Sequence, residues 1–216
     1  MQAIGFNEHY GLQTAVFKRK KTMTRRAEKG FENLKEGYFH FFKERNEVVI
    51  YGEKRTPIET IRLRYNIGEV VAVRQCYRDI IDQLDDRMRE YVIGYYSGSK
   101  AWTNKMFIRP DLMPRHIRII DIKVERLQAI SDDDCLKEGI EEDHPCYWVA
   151  TDYDNPDFRK ISDELADHLP DRNGKMEAYY WDSPRKCFAH LIDKVSGKGT
   201  WERNQFMPAY SFELID

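Results

Sequence analysis

Between Arg118 and Leu127 the chain alternates Ile120, Ile122 and Val124 with Asp121, Lys123 and Glu125. A period of two is the period of a pleated strand, so this segment reads as half-buried, with one apolar and one polar face. Glu47 to Gly52 (EVVIYG) also reads as a strand. So does Ile58 to Tyr65, where Ile61, Leu63 and Tyr65 alternate with Arg62 and Arg64, with Gly52 to Pro57 as the turn between the two. After the turn at Asn66-Ile67-Gly68, Val70 to Val73 is apolar throughout and suits a strand covered on both faces. Tyr210, Phe212 and Leu214 alternate with Ala209, Ser211 and Glu213 in a closing strand. Several strands in succession predict a curled sheet or small barrel.

Helical spacing separates these strands. Leu12, Ala15 and Val16 share a face within Asn7 to Lys20, and Ile81, Leu84, Met88 and Tyr91 do so between Arg78 and Val92. Ser131 with an acid three places on opens a two-turn helix that Gly139 closes. Asp182-Ser183-Pro184 opens another, with Phe188, Leu191, Ile192 and Val195 following at helical intervals until Gly197. The aromatic run Tyr38 to Phe42 has no readable period. The chain of 216 residues, 41% hydrophobic, suffices for one core. It reads as a single α+β domain over 1–216, with insertions near 78–100 and 141–180. The second insertion is acidic, carries Pro145, Pro156 and Pro170, and offers one weak amphipathic helix through Phe158, Ile161 and Leu165.

No stretch approaches the roughly 20 apolar residues of a membrane span, and no apolar signal-peptide core opens the chain. A cytoplasmic location without membrane contact is expected. Cys76, Cys135, Cys146 and Cys187 form no C-x-x-C pair, and His9, His40, His116, His144, His168 and His190 show no ligand spacing, so reduced thiols are expected, with no metal and no cofactor. Charge is uneven. Residues 1–127 hold 25 Lys and Arg against 17 Asp and Glu, and residues 128–216 hold 10 against 20. A basic front half suits a polyanion such as RNA or a nucleotide, while the acidic back half limits indiscriminate binding. Two oppositely charged halves also suit a protein partner.

Lys18 to Arg26 (KRKKTMTRR) concentrates the basic charge: six cations and two hydroxyls in nine residues, with only Met23 apolar. Such a segment is expected to face water, phosphate or a polar pocket, as the loop leaving the first helix. Arg74 beside Tyr77 and Arg78, and Trp102 between Lys100 and Lys105, add cations next to aromatics, the combination that contacts phosphates and stacks on bases.

Three segments together resemble the ASCH-domain family, of PUA-like fold, in its larger phage- or prophage-associated form. They are Lys21-Thr22-Met23-Thr24-Arg25-Arg26, the segment from Leu127 through Ile130, Ser131 and Asp134 to Glu138-Gly139, and the closing Trp201 to Phe212 with its W-x-x-N. The resemblance implies a small mixed barrel with peripheral helices that binds RNA or a modified nucleoside in a cleft. It covers the two ends and the middle, leaving out 30–60, 78–100 and 141–180. Small members of the family are amidohydrolases that remove an acyl group from N4 of cytidine with a Lys, a Thr and a Glu. By resemblance these fall on Lys21, Thr24 and Glu138, with Thr22, Arg25, Arg26, Arg74 and Trp102 as ligand-binding residues. Two positions depart from the pattern. Arg19 stands where the family has glycine, which predicts a loop that leaves its helix differently, and Val73-Arg74-Gln75 replaces V-R-E, so any role of that acid is lost or taken by a neighbour.

The chemistry is coherent in itself, since amide cleavage needs a nucleophile, a base for its proton and an acid for the leaving amine. Each residue has a plainer alternative: Thr24 bonded to its own loop, Lys21 on a phosphate, Glu138 as a solvated acid at a helix end. The sequence thus leaves three readings: a binding domain for RNA or a modified nucleoside, an N4-acylcytidine amidohydrolase, and an accessory protein-interaction module.

Overall fold

The computed structural model describes residues 1–143, 146–149, 181 and 183–215. Its main sheet has five strands in the order β1-β6-β7-β10-β2: Ala3–Ile4 (β1), Met23–Arg25 (β2), Val70–Val73 (β6), His116–Arg126 (β7) and Phe206–Leu214 (β10). β1 runs parallel to β6 and every other pairing is antiparallel. A second, three-stranded meander joins Phe39–Phe42 (β3), Glu47–Tyr51 (β4) and Pro57–Arg62 (β5), and a hairpin joins Ile140–Asp143 (β8) to Cys146–Val149 (β9). Helices are Leu12–Phe17 (α1), Tyr77–Ile80 (α2), Asp86–Tyr96 (α3), Asp132–Lys137 (α4), Pro184–Ser196 (α5) and Thr200–Arg203 (α6).

The architecture is α+β, as the sequence predicts. Among the described residues the main sheet is open, with β1 and β2 as its edges, so the expected closed barrel is not formed. One core gathers Ile4, Val71, Ile117, Ile119, Ile122, Tyr210 and Phe212 of the main sheet with Val48 and Ile50 of the meander and Phe188 and Leu191 of α5. The meander is therefore seated on the same core, with Phe39 edge-on to Phe206 at 4.8 Å between ring centres. A smaller cluster of Ala3, Ala72, Tyr77, Ile80, Val92 and Met113 anchors α2 and α3.

β7 departs instructively from its simple alternation. Ser211 faces Asp121 and Phe212 faces Ile119, which leaves Ile120 as an extra residue. A bulge of this kind flips every side chain beyond it. The buried residues are accordingly Ile117 and Ile119 before it and Ile122 after it, while Ile120 is exposed. The expected helix at Arg78 to Val92 is split: Leu84 is extended, and Asp85 caps α3 by accepting from the Met88 N–H at 2.8 Å. Gly11, at φ 65°, likewise divides the expected Asn7 to Lys20 helix and leaves α1 only six residues. At α5 the capping oxygen is that of Ser183, which accepts from the Lys186 N–H. The expected helix through Phe158, Ile161 and Leu165 lies outside the described residues.

Candidate functional site

The basic run divides: Lys18, Arg19 and Lys20 are exposed, but the part that follows is not a solvated loop. Met23 to Arg25 add β2 to the edge of the main sheet, with Arg25 opposite Ala209 and Thr24 opposite Tyr210. Lys21, Met23, Thr24 and Arg25 are all buried. The bend that delivers them follows α1, where the amides of Lys20 and Lys21 both reach the Ala15 carbonyl, at 2.9 and 3.0 Å. Arg19 makes the bend with φ 59°, the left-handed conformation a glycine would take there. The departure from glycine therefore leaves the turn intact at a backbone cost. The Arg19 guanidinium donates to the Leu214 carbonyl at 2.6 Å.

Glu138 ends α4. Ser131 caps the start of that helix by accepting from the Asp134 N–H at 3.2 Å, and Gly139 at φ 99° turns the chain away at its end. A Cβ on Gly139 would stand 3.5 Å from Cβ of Lys21, so the two segments lie back to back. The Thr22 N–H donates to the Lys137 carbonyl at 2.8 Å and ties them together. This juxtaposition buries Glu138 to 4% exposure, so it is not a solvated acid.

The Lys21 ammonium donates to Oε2 of Glu138 at 2.7 Å and to the Glu138 carbonyl at 2.6 Å. Arg25 donates to Oε1 of the same carboxylate at 3.0 Å, pairs with Glu125, and approaches Asp134 at 3.5 Å. Asp134 also pairs with Lys123 and, at 3.4 Å, with Lys137. Burial pushes the Lys21 ammonium below its ordinary value, against the pull of Glu138. Burial would raise the Asp134 carboxyl, but Lys123, then Arg25 and Lys137, outweigh it and hold it below the usual range. Glu125 and Lys123 were not singled out by the sequence reading, and Asp134 was named there only as part of the segment that opens the helix before Glu138. The first two were taken as the polar face of β7, and there, still partly exposed, they pair with Arg25 and with Asp134 of α4. Lys123 and Arg25 both register on Ala209, one from each neighbouring strand, and that cross-strand row was the missing signal.

Two chambers open beside this network. The smaller, about 240 Å³, is lined by Lys21, Thr24, Arg25, Arg26, Glu138 and Phe188 among others. Thr24 lines it, and its hydroxyl takes part in no side-chain hydrogen bond among the described residues, so it is not bonded to its own loop. The larger, about 560 Å³, shares Gly5, Phe6, Arg26 and Ala27 with the first and adds Glu28, Arg64, Tyr65, Arg74 and Lys105. The two chambers adjoin along these shared residues.

The structure thus brings Lys21, Thr24, Glu138, Arg25 and Arg26 to the smaller chamber and Arg74, with Arg26, to the adjoining one. Thr22 is held by its backbone and lines neither chamber, and Trp102 packs half-buried against the second cluster, away from both. Tyr77 is fully buried and its hydroxyl accepts from the Arg109 N–H, so it cannot stack on a base. Gln75 is buried outside the cleft. Arg25 was expected to bind the ligand, but its guanidinium is already paired with Glu125 and Glu138. Arg26 carries no ion pair among the described residues: one Nη donates to the Gly5 carbonyl at 2.6 Å, and its buried Nε, like that of Arg25, has no partner.

Cys76, Cys135 and Cys187 are free and buried, and burial pushes Cys135 up to about 12. Among the described residues no group of His, Cys, Asp or Glu is arranged to hold a metal, and no helix is long and apolar enough to cross a membrane. No family model, curated protein or solved structure matches the chain.

Proposed function

We propose that the protein is an ASCH-type domain of PUA-like fold whose cleft binds a modified nucleoside or nucleotide, free or within RNA. The observation that carries this reading is the buried Lys21–Glu138 pair facing the smaller chamber beside the unbonded Thr24 hydroxyl. A volume of about 240 Å³ equals that of about eight liquid waters and accommodates one planar ring of nucleobase size. An ammonium has three donors, of which two are spent on Glu138, so one remains for a ligand carbonyl, and Thr24 can give or accept a hydrogen bond beside it. Leu12, Phe188, Leu191 and Ile192 supply apolar walls. Calorimetric titration with cytidine and N4-acetylcytidine tests the reading: saturable binding that Thr24→Val weakens is expected, and no heat with either nucleoside refutes it.

A second reading, hydrolysis of an N4-acylcytidine-like amide, is supported by the depressed ammonium of Lys21. Passing one proton across the 2.7 Å bond to Glu138 leaves a neutral amine that can accept the Thr24 proton. The Thr24 oxygen then attacks the acyl carbon, the C–N bond breaks, and the Glu138 carboxylic acid protonates the leaving amine. Water releases the acyl group from Thr24. Incubation with N4-acetylcytidine should yield cytidine, and binding without product leaves the first reading alone.

A further inference from the structure

The larger chamber differs from its neighbour in charge. Around the smaller one every cation except Arg26 is matched: Lys21 by Glu138, and Arg25 by Glu125 and Glu138. The larger is lined by four cations, Arg26, Arg64, Arg74 and Lys105, against the single carboxylate of Glu28. Among the described residues none of the four is in an ion pair. Arg26 and Lys105 are held instead by the carbonyls of Gly5 and Phe6, Arg64 lies over the Tyr65 ring at 5.3 Å, and the Arg74 guanidinium donates to the Met106 sulfur at 3.7 Å. Glu28 is one carboxylate against four cations, and its oxygens are already engaged within the protein. It accepts the Tyr210 hydroxyl and the Arg64 N–H, and burial pushes its carboxyl above its ordinary value, towards the neutral form.

Unmatched cations converging on a half-buried chamber repel one another, and carbonyls orient them without cancelling their charge. Arg26, Arg74 and Lys105 are half-buried and Arg64 is exposed, and an anion seated among them would pair with all four. Arg26, whose buried Nε has no partner, lines both chambers, so a ligand in either one lies beside it. Guanidinium forks match the oxygens of phosphate, and two charges on a monoester suit four cations better than the single charge of a diester.

We infer that the larger chamber is a phosphate-monoester subsite formed by Arg26, Arg64, Arg74 and Lys105, and that the ligand of the cleft is a nucleoside monophosphate. The inference rests on the nucleoside reading above and narrows it. The base enters beside Lys21 and Thr24, the sugar crosses the wall of Gly5, Phe6 and Arg26, and the phosphate meets the four cations.

The test is a calorimetric comparison of cytidine and N4-acetylcytidine with their 5′-monophosphates, alongside inorganic phosphate alone and short RNA oligonucleotides. The monophosphates should bind about tenfold to a hundredfold tighter than the nucleosides. That gain should shrink with added salt, inorganic phosphate should compete, and the double variant Arg64→Ala, Arg74→Ala, checked for an unchanged melting temperature, should bring the ratio of the two affinities close to one. Equal affinity for nucleoside and monophosphate, with no competition by phosphate, overturns the subsite and leaves the nucleoside pocket standing. Phosphate binding without nucleoside binding keeps the subsite and removes the nucleoside reading. Affinity only for oligonucleotides, rising with their length, overturns the monoester in favour of a strand that crosses the cleft.

Discussion

Replacing Glu138 with Gln should be among the most destabilising single changes available to this chain, and its cost can be apportioned from the contacts. Gln keeps the shape of Glu and removes the charge. Arg25 then retains Glu125 and Asp134, but Lys21 loses its only carboxylate and is left as a buried cation. Breaking a buried pair from one side typically costs about 3–5 kcal/mol. For a domain of this size that corresponds to a fall in melting temperature on the order of 10 °C. Lys21→Met is expected to cost less, because Glu138 keeps its 3.0 Å bond to Arg25. Combining the two should relieve the stranded ammonium, so the double variant should be more stable than Glu138→Gln alone by about 1–3 kcal/mol, measured by urea denaturation as a double-mutant cycle. The pH dependence has a definite sign. A lysine whose folded value lies below its unfolded 10.5 destabilises the native state at pH below the folded value, and that penalty fades as pH rises towards 10.5. The deficit of Glu138→Gln should therefore narrow in alkaline buffer. A Glu138→Gln protein within about 1 kcal/mol of the parent, or a deficit that widens with pH, refutes the account.

Three further outcomes follow from the same geometry. Arg19→Ala keeps the left-handed backbone and loses the bond to the Leu214 carbonyl, whereas Arg19→Gly loses the bond and relieves the backbone; chemical denaturation should rank the glycine variant above the alanine variant by about 1 kcal/mol. Asp134 has a folded value below its unfolded 3.8, so its contribution is complete above that pH and is lost as pH falls through the lowered value. Acid titration of stability should accordingly be flatter below pH 3.8 in Asp134→Asn than in the parent. Gly139→Ala places a methyl at φ 99° and 3.5 Å from Lys21; it should cost about 1–2 kcal/mol by thermal melting and weaken any ligand that depends on the Lys21–Glu138 pair.

Local signals carried much of this fold. The alternation around Ile122, the capped helix from Ser131 to Gly139 and the helix after Ser183 were legible because period, cap and stop residues act over a few positions. The Ile120 bulge was not, since an extra residue in β7 is defined only by its pairing with Ser211 and Phe212 on β10. Nor was the split at Leu84, where a good helical period was overridden by the Asp85 cap.

The candidate site divides along the same line. Sequence by itself named Lys21, Thr24 and Glu138 as residue types at recognisable places, and it localised the basic charge to the front half of the chain. It could not tell which cations were spent. Only the tertiary structure set Arg25 against Glu125 and Glu138 and left Arg26, Arg64, Arg74 and Lys105 without carboxylates, because neutralisation depends on separations of a few ångströms between segments up to 117 positions apart. Composition counts charges, and the fold decides which of them remain for a ligand.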